Sequence, residues 1–188
     1  MRSREEKVRA KLFVVSFLAI IAVLAVALPY AHGYKKGGGA KTGGVSLVAK
    51  GPAKSKLVKG KAVPGRDLPK KVKKVIRAAN RIEHKPYVYG GGHGSFRSSG
   101  YDCSGAVSFA LRGGKFLSRP LASGPLMSWG KSGKGRHITV YSNPGHVYLV
   151  VDGLRFDTAM TPGDGPGWSK SLRSTSGSFV ARNPGRGF

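Results

Sequence analysis

The chain has one cysteine, Cys103, among 188 residues. An intramolecular disulfide is therefore impossible, and a cysteine-rich zinc site is ruled out. Acidic side chains are almost as scarce. Eight Asp and Glu stand against 33 Lys and Arg, leaving a formal charge of +25. That excess predicts an anionic partner: nucleic acid, acidic lipid or an anionic wall polymer. Hydrophobic residues are still 40% of the chain, enough for a core, which argues against disorder throughout. The length suits one domain of ordinary size, or a smaller one with extensions.

The long apolar run lies at the N-terminus. Arg2, Arg4, Lys7, Arg9 and Lys11 precede a stretch from Leu12 to Leu28 that only Ser16 interrupts. These seventeen residues would span about 25 Å as a helix, at the short end for a bilayer core of about 30 Å. No periodic polar face marks them as a buried core helix. Residues 1–31 therefore read as a signal peptide or a signal anchor, with Ala25-Val26-Ala27 as a small-x-small cleavage site and Pro29 just beyond it. The basic flank puts the N-terminus inside and the rest outside. The expected location is extracytoplasmic: secreted, in the cell wall, or membrane-anchored through residues 12–28 if the signal is retained.

Residues 32–66 hold Gly37-Gly38-Gly39, Gly43-Gly44 and eight lysines from Lys35 to Lys61, with few large apolar residues between them. This composition predicts a flexible cationic linker. It is either a solvated spacer or an electrostatic adhesive for anionic wall polymers or lipid headgroups. Specific nucleic-acid binding is disfavoured by export and by the lack of an aromatic-interleaved basic patch.

One domain is expected over residues 67–188. Asp67 can cap a helix with Pro69 in its first turn, and Val72, Val75, Ile76 and Ala79 form its apolar stripe. A Gly-rich loop from Tyr87 to Gly94 leads to a second helix start at Asp102-Cys103-Ser104-Gly105, which Gly113-Gly114 stops. The rest reads as β. Ile138–Tyr141, His146–Val151 and Leu154–Thr158 are predicted strands, the last two joined by the turn Asp152-Gly153. Phe179-Val180-Ala181 can close the sheet, and residues 161–177 read as a loop that Trp168 can anchor.

A nucleophilic cysteine needs exposure, a favoured thiolate and a nearby base. Cys103 begins a helix, where backbone N–H groups and the helix dipole favour the thiolate, and its flanks are polar and glycine-rich. Ser104 and Gly105 keep the first turn small enough for a substrate to approach. Among the histidines, His146 opens a strand directly after a turn, a rigid place from which to present a ring. Hairpin parity then selects a third residue. With Val151 facing Leu154, Tyr148 lies opposite Asp157, and His146, Tyr148, Arg155 and Asp157 share one face. Val147, Leu149, Val151, Leu154 and Phe156 share the other. Asp157 can thus orient His146, while Thr158 points away; a shifted register would exchange the two. His93 lies in the glycine loop near the thiol and can touch substrate, as can Ser104 beside the nucleophile. Tyr87 or Tyr89 can donate an O–H into the site.

Tyr87-Val88-Tyr89-Gly90-Gly91, then Tyr101-Asp102-Cys103-Ser104-Gly105, then Gly145-His146-Val147 ahead of a strand resemble the NlpC/p-sixty family of bacterial cell-wall cysteine peptidases. The resemblance covers about residues 68–160. It implies an α+β, papain-like fold with the nucleophile helix packed on a small antiparallel sheet. It also implies a thiol endopeptidase of peptidoglycan stem peptides, commonly cutting D-γ-glutamyl-diaminopimelate bonds without a cofactor or metal, and here read as a monomer. Cys103 would be the nucleophile, His146 the base, and Tyr87 the loop tyrosine near the site. The family's third residue is usually His, Asn or Gln, where this chain offers Asp157. Other readings are an N-acetylmuramoyl-L-alanine amidase of the related Cys-His class and a catalytically silent, cationic wall-binding protein.

Overall fold

The computed structural model describes residues 53–160, 165–174 and 179–188. The expected signal segment, 1–31, and the first part of the expected linker, 32–52, lie outside the described residues. Among the described residues no helix is long and apolar enough to cross a membrane.

Two helices pack on a six-stranded sheet, giving the expected α+β class. Helix α1 runs Lys70–Ile82 and buries Val72, Val75, Ile76, Ala78, Ala79 and Ile82, while its lysines and arginines take the outer face. Helix α2, Cys103–Gly113, packs against α1 and buries Ala106, Val107, Ala110 and Leu111. A one-turn helix, α3, covers Ser123–Leu126. The helix over 70–82 begins without the cap expected from Asp67. Pro69 occupies the cap position with no side-chain hydrogen bond, and Asp67 is exposed beside Arg66 at 3.3 Å. Proline, which has no N–H to satisfy and a fixed φ, starts this helix instead.

The N-terminal β elements correct the expected linker boundary. Strands β1 (Lys56–Val58) and β2 (Lys61–Val63) form an antiparallel hairpin. Its Ala62 is buried in the core, and Asn80 of α1 binds both main-chain groups of that residue: Nδ2 donates to the Ala62 carbonyl at 2.8 Å, and Oδ1 accepts from its N–H at 3.1 Å. The same Oδ1 accepts from the Trp168 indole at 2.9 Å. One amide side chain thus ties the hairpin, α1 and the far edge of the sheet. The folded part therefore begins before Asp67, within what the composition presents as linker.

The large sheet contains β3 (Lys131–Ser132), β4 (Ile138–Ser142), β5 (Val147–Val151), β6 (Leu154–Asp157), β7 (Gly167–Ser169) and β8 (Val180–Asn183). Its order is β3-β8-β4-β5-β6-β7, with every pairing antiparallel. The expected hairpin register is observed: Val151 pairs with Leu154 and Leu149 with Phe156. Asp152 and Gly153 both have positive φ, 49° and 83°, as a two-residue turn matched to the strand twist requires. Val147, Leu149, Val151, Leu154 and Phe156 are all buried in the core. The C-terminal strand does join the sheet, but alongside β4 in its interior. Trp168, expected in a loop, lies in edge strand β7 against Phe156.

Removing the hairpin should leave Asn80 with only the indole as partner and uncover core surface. A chain beginning at Asp67 is expected to be roughly 2–4 kcal/mol less stable to urea than one beginning at Ala53. Equal stabilities would show that the hairpin contributes nothing to the fold.

Candidate active site

The site forms where the first turn of α2 meets the N-terminal end of β5. Asp102 has extended backbone and caps α2, its Oδ1 accepting from the Gly105 N–H at 2.8 Å. Oδ1 also accepts from the Ser104 hydroxyl at 3.0 Å, and Oδ2 accepts from the Gly90 N–H at 3.1 Å. The glycine loop is thereby fastened to the helix that carries the thiol. A side chain at Gly105 would collide with the Gly91 carbonyl oxygen at 2.0 Å, so this contact requires glycine.

Cys103 is partly exposed at the helix start. His146 stands immediately ahead of β5, its main-chain N–H held by the Asn143 side chain at 2.7 Å. Its Nε2 meets Asp157 Oδ1 at 2.9 Å, and the Cys103 side chain lies near enough to raise the ring's pKa. With Nε2 engaged by the carboxylate, Nδ1 is the nitrogen left for the sulfur. The structure thus brings Cys103, His146 and Asp157 together, and it is Asp157, not Thr158, that reaches the ring. Burial opposes the imidazolium, but hydrogen bonds to Asp157 and Cys103, with their negative charge, outweigh it. They raise the His146 pKa to about 9. Burial likewise opposes the Asp157 carboxylate, yet His146, the Ala159 N–H and Arg155 together hold its pKa below the usual value.

The substrate-contact candidates divide. Tyr87 is exposed, and partial burial followed by the fields of Cys103 and Asp102 raises its phenol pKa. His93 is part-exposed, with Nε2 2.7 Å from Ser104 Oγ and 2.8 Å from Asp102 Oδ2. Ser104 sits deeper than the other two candidates. It is buried, and its hydroxyl is engaged by Asp102 and His93, so it buttresses the helix start. Tyr89 is fully open to solvent.

Sequence reasoning missed Arg173. Its guanidinium lies 3.4 Å from Asp157 Oδ2 and over the rings of Tyr148 and Phe179, each at 5.9 Å. Phe179 in turn stands edge-on to His146 and Tyr148. Arg155 approaches the same carboxylate oxygen at 3.6 Å, as same-face parity allows. No periodic signal marks Arg173, which follows a Gly- and Ser-rich stretch. Chemically, the site offers a thiol beside a proton-carrying imidazole that a buried carboxylate orients, an arrangement able to attack a carbonyl and protonate a leaving group.

Comparison with protein-family models finds no match, and neither does comparison with curated proteins. Among solved structures, the chain is similar to the P60 domain of antigen MAP1204 from M. avium subspecies paratuberculosis. Identity is 20% and the TM-score 0.47, over 60% of this chain and 93% of that one. It is also similar to the peptidoglycan hydrolase RipB from Mycobacterium tuberculosis, at 25% identity and a TM-score of 0.48, over 61% of this chain and 68% of that one. The first of these carries in its name the P60 family that the sequence motifs resemble.

The His146 ring should titrate near 9 by NMR, and Asp157→Asn should move it down toward the ordinary 6.5. The sign for stability follows. A raised folded-state pKa contributes stability in full below about 6.5, and that contribution disappears as pH rises through about 9. Asp157, with a lowered pKa, contributes above its ordinary 3.8 and loses that contribution as pH falls. Relative to His146→Gln, the wild type should therefore lose urea stability between pH 7 and pH 10. An unchanged difference would mean that the ring is not held as a cation.

Proposed function

We propose that this chain is an exported peptidoglycan hydrolase, a thiol endopeptidase that cleaves stem-peptide amide bonds, with D-γ-glutamyl-diaminopimelate as the bond. The observation that carries this reading is the meeting of Cys103, at a helix N-terminus, with a His146 that Asp157 orients. The motif resemblance supplies the substrate class. A location outside the cytoplasmic membrane and contact with the wall follow from the N-terminal apolar segment and the basic composition.

In the proposed cycle the Cys103 thiolate, paired with imidazolium, attacks the amide carbonyl carbon. A C–S bond forms, and the carbonyl π electrons move to oxygen. The Cys103 backbone N–H is a natural donor to that oxyanion. As the oxyanion collapses, the C–N bond breaks and His146 gives its proton to the departing amine. Water then attacks the thioester, losing a proton to His146 as the thiolate leaves. Asp157 keeps the ring oriented throughout. The Tyr87 phenol, at the mouth of the site, is proposed to donate to the substrate, and His93 to line the approach.

Purified peptidoglycan digested with the protein should yield new amine and carboxyl termini, which mass spectrometry assigns to the diaminopimelate amine and the D-glutamyl γ-carboxyl. Termini at muramic acid and L-alanine would make the enzyme an amidase instead. Cys103→Ser should keep the fold and abolish release. Asp157→Asn should lower kcat at least tenfold with KM little changed, because it removes charge that stabilises imidazolium. Iodoacetamide should label Cys103 in the folded protein; labelling only after denaturation would sink the nucleophile assignment.

A further inference from the structure

The α1–α2 face carries a second concavity that the peptidase reading does not use. Two adjoining cavities, of about 750 and 470 Å³, share Arg81, Phe109 and Arg112 as walls, so they form one groove. Lys115 lines one end and Arg97 the other. No acidic residue lines either cavity, and among the described residues none of these four cations forms an ion pair. Two of them are positioned by aromatic rings: Arg81 lies 5.6 Å from the Phe109 centroid, and Arg112 lies 4.5 Å from that of Phe96. Arg81 and Arg112 sit in last helical turns, where a cation complements the helix dipole. That account does not extend to Arg97, which lies outside helices. Lys115, with a φ of 61°, closes the C-terminus of α2, its N–H on the Arg112 carbonyl at 2.8 Å.

We propose that this groove binds a linear phosphodiester polymer without aromatic bases, of the polyol-phosphate kind. Four unpaired cations in a concave track match a repeating anion, and guanidinium forks suit phosphate oxygens. A flat membrane surface does not fit a recessed groove. A single-stranded nucleic acid would ask for free ring faces on which bases stack, whereas the Phe96 and Phe109 rings each already carry a guanidinium. The choice of a wall polymer also rests on the extracytoplasmic reading above. Arg112 lies nine helical steps beyond Cys103 on α2, about 13.5 Å along the axis. A bound polymer would thus hold the enzyme against its substrate without entering the catalytic site.

Titration of labelled poly(glycerol phosphate) tests this. The full chain is used as Cys103→Ser, so that binding is read whether or not the protein proves to be a peptidase. Arg81→Gln with Arg112→Gln should weaken binding at least tenfold. The slope of log affinity against log salt should become shallower by roughly 1.4, two contacts at about 0.7 each. Arg97→Gln with Lys115→Gln, both exposed and outside helices, should weaken binding similarly and covers the case in which the first pair misfolds. Lys131→Gln with Lys134→Gln, elsewhere on the surface, should change affinity less than threefold. Equal losses in all three pairs would overturn the site in favour of diffuse charge. Tighter binding of single-stranded DNA, polyglutamate or phosphatidylglycerol vesicles, lost in the same groove variants, would overturn the ligand class. With Cys103 restored, cleavage of soluble muropeptides should be unchanged by the groove substitutions while release from intact, polymer-bearing walls falls.

Discussion

The Asp102 carboxylate is the fastening on which the site depends. It is buried, and within hydrogen-bond reach it holds the Gly105 N–H, the Gly90 N–H, the Ser104 hydroxyl and the His93 ring. Two of these partners belong to α2 and two to the glycine loop. The carboxylate therefore fixes the direction of the helix that carries Cys103 and the loop that follows Tyr87. A buried carboxylate without such partners would be costly; with four of them it becomes a rigid joint. Gly105 must be glycine for the joint to close, since the loop backbone lies where a side chain would stand.

Asp157 works under a different constraint. One of its oxygens faces His146, and the other faces Arg155 and Arg173. The guanidiniums favour the ionised carboxylate, but they also divert part of its field from the imidazole. Arg155 Nε is buried without a hydrogen-bond partner, so its approach to Asp157 is through charge alone. Geometry favours the histidine, because 2.9 Å is hydrogen-bond contact whereas 3.4 and 3.6 Å are looser pairings.

Much of this could be read in the chain because the relevant signals are local. The Asp152-Gly153 turn fixes the β5–β6 register, and a period of two then places Asp157 on the His146 side without reference to the rest of the fold. Asp102 before Cys103 marks a helix start in the same way. The missed features have weaker or longer-range causes. In the first hairpin, Lys59 and Gly60 both take positive φ, 48° and 83°, and the pattern Leu57-Val58 and Ala62-Val63 flanks them. Averaged over residues 32–66, that short signal disappears among glycines and lysines. Strand β7 has three residues and is defined by its partner more than by its own composition. Arg173 reaches Asp157 from 16 residues away, through a segment with no periodicity to place it.

The two scales of charge in this protein explain how the site can work inside so basic a chain. The formal charge of +25 raises the potential everywhere and by itself should discourage a protonated histidine. Salt limits that influence to about 8–10 Å between exposed groups. Inside the site the balance is set at short range, by the Asp157 carboxylate and the Cys103 side chain against one ring. The acids are distributed accordingly. Of the five among the described residues, Asp102 and Asp157 serve the site, the Glu83 side chain is buried, and Asp152 accepts from the Ser55 N–H; Asp67 alone stands open on the surface. Among the described residues, negative charge is thus drawn toward the candidate site, and most of the outer surface is left to the cations. A chain can therefore keep an imidazolium in place and attract a polyanion at once, because the first effect is short-ranged and shielded by burial while the second is long-ranged and open to solvent.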